Sequence, residues 1–125
     1  MIIDHIRDLN EFEAFFYEHP MNDGLYSFDF IKNNPHLFCF YNEVTGVLEG
    51  YISITADKDE NLFLSGAAIR KNMQENINAI NKICDAFPKD MYADTDLKPA
   101  QIVLLKANFQ KIDNNLYRRI RNGKK

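Results

Sequence analysis

Leu62-Phe63-Leu64-Ser65-Gly66-Ala67-Ala68, then Ile69-Arg70-Lys71, then Asn72-Met73-Gln74-Glu75-Asn76-Ile77-Asn78-Ala79-Ile80: along this stretch the chain changes its period. The first run is short and apolar, bounded by the polar turn Asp57-Lys58-Asp59-Glu60-Asn61, as a strand is. From Asn72 onward Met73, Ile77, Ile80, Cys84 and Phe87 fall on one helical face. Gln74, Glu75, Asn78 and Asn81 face away, and Pro88 stops the pattern.

Upstream, the aromatic run Leu37 to Tyr41 and the run Val47 to Thr55 read as two more strands around a turn at Thr45-Gly46. With Leu62 to about Ile69 they make three antiparallel strands joined by short loops. Ile2 to Arg7 reads as an opening strand. Leu9, Phe12, Phe15 and Phe16 recur at helical spacing, with Asn10 as the expected cap and Pro20 as the stop. A shorter helix covers Phe28 to Asn33, before Asn34-Pro35.

Downstream, Asp90 to Thr95 is a strand. A helix follows, with Asp96 as its expected cap, Pro99 in its first turn and Ala100, Val103, Leu104 and Ala107 as its buried stripe. Asn108 stands where a helix ends in a left-handed residue. Phe109 to Ile112 and Leu116 to Ile120 are strands around Asp113-Asn114-Asn115. The order β-α-α-β-β-β-α-β-α-β-β predicts an α/β (α+β) fold, with a mixed, mainly antiparallel sheet of six to seven strands flanked by helices. No repeat or linker divides the chain, so one domain is expected over 1–121, with a basic tail over 122–125.

The 125 residues suffice for one buried core, and a 46% hydrophobic, 26% charged composition is that of a globular protein. No run approaches the roughly 18 apolar residues of a membrane span, and Met1-Ile2-Ile3-Asp4-His5 does not resemble a secretory signal. Cys39 and Cys84 both lie in apolar patterns and are expected as buried free thiols, which suits the cytoplasm. The net charge is −3, yet Arg118, Arg119, Arg121, Lys124 and Lys125 close the chain with no acid after Asp113. A solvated tail accounts for them, and contact with nucleic acid or an acidic partner is the sharper alternative.

Two stretches carry a family resemblance. Val44-Thr45-Gly46-Val47-Leu48-Glu49-Gly50-Tyr51-Ile52 is similar to the second hairpin of GNAT acyltransferases, where a turn leads into a V-G-F/Y strand. Asp94-Thr95-Asp96, then Ala100, then Leu104-Leu105-Lys106-Ala107-Asn108-Phe109 resembles the strand and helix that end in L-x-K-x-G-F, with Asn108 in the place of glycine. The resemblance runs from Met1 to Ile120. Leu64-Ser65-Gly66, followed by a basic, glycine-free helix start, resembles the degenerate GNAT-like proteins of bacteriophages, small internal virion proteins among them.

The resemblance implies a protein that binds acetyl-CoA and transfers acetyl to an amine or a protein lysine, with pantetheine inserted where the strands before and after the main helix part. The pyrophosphate would meet a loop of the type R/Q-x-x-G-x-G/A ahead of that helix. The matching stretch here has no glycine, and the cofactor contacts it implies are Ala67, Ala68, Ile69, Arg70, Lys71, Gln74 and Asn76. Arg70 and Lys71 can draw an anion to an electropositive helix start, while Glu75 opposes one.

The family's general base is often a Glu on the strand before that loop. That strand holds no carboxylate here, and Glu49 on the adjoining strand is the stand-in. Its proton-donating Tyr falls at Leu104, which has no proton to give, leaving Tyr117 or Tyr92 as substitutes; a core role explains either tyrosine as well. His5, His19 and His36 lack metal-ligand spacing, and no Ser or Cys nucleophile motif is present. The sequence leaves open an acetyltransferase with an altered loop, or a catalytically silent GNAT-like module that binds a protein partner, in the host cytoplasm or in a virion.

Overall fold

The computed structural model describes residues 1–19, 26–68 and 73–121. Its elements are β1 (Ile2–Asp4), α1 (Leu9–Glu18), α2 (Phe28–Lys32), β2 (Leu37–Tyr41), β3 (Leu48–Ala56), β4 (Leu62–Ala68), α3 (Met73–Asp85), β5 (Met91–Asp94), α4 (Lys98–Lys106), β6 (Gln110–Lys111) and β7 (Leu116–Arg119). The strands follow one another across a seven-stranded sheet in the order β1-β2-β3-β4-β5-β7-β6. Most neighbours are antiparallel, and β4 with β5 is a parallel pair. The fold is thus the mixed, mainly antiparallel α+β sheet with helices that the period changes indicate.

Residues 1–55 and 65–69 gather into one compact unit, and residues 56–64 and 70–125 into another. In the first unit, α1 starts at Asp8, whose carboxylate accepts from the backbone N–H groups of Asn10 and Glu11 at 2.9 and 3.1 Å. Asn10, the expected cap, is already inside the first turn, so its own N–H needs a partner rather than supplying one. Phe12, Phe15 and Phe16 turn inward and pack with Phe28, Ile31, Leu37, Cys39, Tyr41, Leu48 and Tyr51. Phe12 meets Tyr51 edge to face at 5.3 Å, the geometry that aromatic quadrupoles favour. Asn34 Nδ2 donates to Ser53 Oγ and to the Ile54 carbonyl, which satisfies the polar end of that core.

β2 pairs with β3 from Leu37↔Ser53 to Phe40↔Gly50, after which Tyr41 faces Leu48. Glu49 is therefore the extra residue of a β-bulge, a device that re-aims side chains. Gly66 on β4 lies so close to β3 that an added Cβ would land on the Tyr51 carbonyl oxygen and within 3.0 Å of Ile52 Cα.

In the second unit, α3 buries Asn76, Ile77, Ala79, Ile80, Ile83 and Cys84. The expected stripe is rotated. Met73, placed on the inner face by its spacing, is 38% exposed, while Asn76 goes inside. α4 starts at Leu97 with no side-chain cap, and Asp96 does not serve as one. A cap bonds the N–H of the second or third helical residue, and Pro99 at the second has none to give. At the other end Asn108 takes φ 76°, as its place after the helix indicates, and Phe109 N–H bonds back to Leu104 O at 3.0 Å. That bond takes the Phe109 donor from the ladder, so β6 begins only at Gln110.

Both cysteines are free and buried. Burial pushes the Cys39 thiol up to about 12 and the Cys84 thiol up to about 11, from 9.0. Neither thiol is expected to react with an aromatic disulfide reagent until the chain unfolds, and both should then react together. The folded state holds these protons more tightly, so their contribution to stability is complete below about pH 8.5 and falls as pH rises from there towards the folded values. A flat stability profile between about pH 8 and 11 would contradict this.

Candidate functional site

The first turn of α3 and the strand that leads to it are where the anion-binding residues were expected. Ala67 is half-buried on β4 and packs against the aromatic core of the first unit. Ala68 closes that strand. Ile69, Arg70, Lys71 and Asn72 lie outside the described residues. Gln74 is exposed on α3, and its Nε2 donates to Asn78 Oδ1 one turn along at 2.9 Å. Asn76 differs from its expected place at the loop: it is 8% exposed and belongs to the packed side of the helix. Glu75 sits in the first turn as the acid that favours a helix start.

Glu49 belongs to the first unit. As the bulged residue of β3 it is half-buried, and Asn42 Nδ2 donates to its Oε2 at 3.2 Å. Asn42 was not singled out in the sequence, although its seven-residue spacing across the Thr45-Gly46 turn is the spacing a hairpin makes adjacent. The Asn42 carboxamide also caps the turn, accepting from Val44 and Thr45 N–H at 2.8 and 2.9 Å. One side chain thus fixes both the turn and the carboxylate. A carboxylate held in this way can accept a proton from a neighbouring amine.

Tyr117 belongs to the second unit, on β7, between Ala93 of β5 and Lys111 of β6. It is 2% exposed. Leu104, which the GNAT resemblance sets against a proton-donating Tyr, is a core residue of α4. Tyr92 is half-buried instead, with its ring 5.6 Å from Phe63 and the Arg118 guanidinium 5.9 Å above it. Of the two phenols, Tyr92 is the more accessible.

Two of the basic residues that close the chain, Arg118 and Arg119, are committed to acids within the fold. Arg118 grips Asp90 Oδ2 through Nε at 3.0 Å and Nη2 at 2.6 Å, and Arg121 N–H donates to Asp90 Oδ1. These bonds, the Arg121 backbone donor foremost, hold the Asp90 carboxyl below its ordinary range. Arg119 is buried; its Nε donates to Asn81 Oδ1 and to the Ala107 carbonyl, and its Nη2 to Asp85 Oδ1 at 2.9 Å. Asn108 Nδ2 also donates to Asn81 Oδ1, so α3, the end of α4 and β7 share one network. Nothing in the sequence joins Asn81 to a residue 38 positions away; only the fold does. Lys124 and Lys125 lie outside the described residues.

Among the described residues no group of three His, Cys, Asp or Glu is placed to hold a metal ion. No helix there is long and apolar enough to cross a membrane. His19 stacks on Phe15 at 4.4 Å, an aromatic contact within α1 and its cap. Compared with known protein families, curated protein sequences and solved structures, the chain matches none.

Proposed function

We propose that the chain is a GNAT-type N-acetyltransferase-like protein that binds acetyl-CoA at the start of α3 and passes its acetyl group to an amine. The observation that carries this reading is the β4-α3-β5 crossover, with its two strands paired in parallel at Leu62↔Met91 and Phe63↔Tyr92, inside an element order that follows the resemblance from β1 to β7. In open sheets, ligands bind beyond the carboxyl ends of parallel strands, where a helix start offers free N–H groups. Ala67 and Ala68 would line pantetheine, and Ile69, Arg70, Lys71 and Gln74 would meet the pyrophosphate. Asn76 is left to helix packing.

In the transfer step the amine nitrogen attacks the thioester carbonyl. A C–N bond would form and the C–S bond break, Glu49 would take the proton from nitrogen, and CoA would leave as a thiolate that takes a proton from water. The acceptor is a small amine or a protein lysine, and the setting is the cytoplasm, a host's if the chain is phage-borne.

The burial of Leu104 and Tyr117 favours a second reading, a catalytically silent GNAT-like module that binds a protein partner, of the kind found in virions. Fold alone does not decide between them. Release of CoA thiol in the presence of lysine peptides and polyamines separates the two. The first reading expects turnover that Glu49→Gln lowers by about 10²-fold or more, as loss of a general base does, with acetyl-CoA affinity unchanged. Binding without turnover on any amine leaves the second.

A further inference from the structure

The two units carry opposite charge. The first has nine Asp and Glu against two Lys and Arg, and the second has nine against thirteen. One exposed helix face in each concentrates that difference. On α1, Leu9, Glu13 and Tyr17 stand at i, i+4 and i+8, all exposed, with Tyr17 at 65%. The helix contains three Glu and no Lys or Arg. Two of the three are otherwise occupied: Glu11 accepts from Leu48 N–H at 2.9 Å, and Glu18 lies 3.7 Å from His19. Glu13 remains on the open face.

On α4, Lys98, Ile102, Leu105 and Lys106 are exposed along one side, with Leu105 at 53% and Leu97 exposed ahead of them. This helix contains no acid. Each face thus offers aliphatic or aromatic surface beside charge of one sign, and the signs are opposite. Scattered exposed apolar residues are ordinary, but a matched pair of faces, each apolar and each of single sign, is what a polar-rimmed interface needs.

We propose that copies of this chain associate head to tail, the acidic α1 face of one copy seated on the basic α4 face of the next. Leu9 and Tyr17 cover Ile102 and Leu105, and Glu13 lies among Lys98 and Lys106. Two different surfaces meet: two copies can pair them reciprocally, and otherwise each contact leaves one α1 face and one α4 face free and growth continues until a ring closes. The apolar part of the contact persists in salt, while the charged part is screened.

Sedimentation velocity over a concentration series, at about 0.01 M and about 1 M salt, where the screening length falls from about 30 Å to about 3 Å, tests this. The expected result is concentration-dependent association at low salt, weakened at high salt. Glu13→Lys and Lys106→Glu, both at exposed positions, should each weaken association about tenfold or more through like-charge contact. The double variant Glu13→Lys with Lys106→Glu should restore it, and a mixture of the two single variants should restore it too, in alternating order, because each unlike pair of faces is complementary. Circular dichroism shows that each variant is folded. A monomer at every concentration overturns the proposal, as does association that the single variants leave intact or that the double variant fails to restore.

Discussion

Gly66→Ala is expected to destabilise the protein by about 3 kcal/mol, at the upper end of what overpacking costs. The added Cβ meets the carbonyl oxygen of Tyr51 and then the Cα of Ile52. Both are backbone atoms of β3, so no rotamer change relieves the clash and the strands must separate. Tyr51 is at the centre of the aromatic cluster, in contact with Phe12, Phe15 and Phe16, which means that a shift of its backbone disturbs the whole core of the first unit. Urea denaturation measures the loss. Gly46→Ala supplies the contrast: nothing lies within 4 Å of its added Cβ, and only its φ of 74° opposes a side chain, for about 1 kcal/mol. Equal small losses at the two sites would mean that β3 and β4 do not pack as described.

Phe12→Ala should cost about 4 kcal/mol, the middle of the range for a fully buried phenylalanine. Its ring has no exposure and meets Phe16, Phe28 and Tyr51 at 6.4, 5.9 and 5.3 Å. The cavity would open where α1, α2 and β3 converge, beside the rings of Phe16, Phe28 and Tyr51. Against the roughly 5–15 kcal/mol of an ordinary domain, that is enough to leave a large fraction of the chain unfolded on moderate warming. Thermal denaturation followed by near-ultraviolet circular dichroism, which reports these packed rings, checks it. A melting temperature within a few degrees of the parent would contradict the packing.

The strands and helices were legible where side-chain period and breakers coincide. β2 runs from Leu37 to Tyr41, as its aromatic run between Pro35 and Asn42 indicates. The ends that differ do so because a polar group is already spent. The opening strand stops at Asp4 rather than Arg7, since the Asp4 carboxylate turns back to accept from His5 N–H and Arg7 Nε. α1 begins from Asp8 and α4 from Leu97 because capping depends on which N–H groups are free, and a residue-type rule does not contain that. Met73 falls outside the buried face of α3 and Asn76 inside it for a related reason: a helical stripe fixes an angle only to within one residue, and packing selects it.

The site was less legible. Glu49 could be named from its strand, but the bulge that presents it and the Asn42 amide that holds it come from the register of β2 on β3. Tyr117 could be named as a substitute donor or a core aromatic, and its burial on β7 follows from the pairing with β5 and β6. Arg118 and Arg119, read from the sequence as part of a free basic tail, are bound to Asp90 and Asp85. Charge that looks available in one dimension is already neutralised in three.

The central claim is that the β4-α3-β5 crossover holds acetyl-CoA, and titration calorimetry of the folded protein with acetyl-CoA, with CoA and with pantetheine alone tests it most directly. The account predicts one site per chain for acetyl-CoA and for CoA, weaker binding of pantetheine, and a loss of about tenfold in affinity for both nucleotides on Arg70→Ala, as removal of one charged phosphate contact gives. No heat and no binding at millimolar acetyl-CoA, from a sample whose circular dichroism is that of the folded chain, would contradict it.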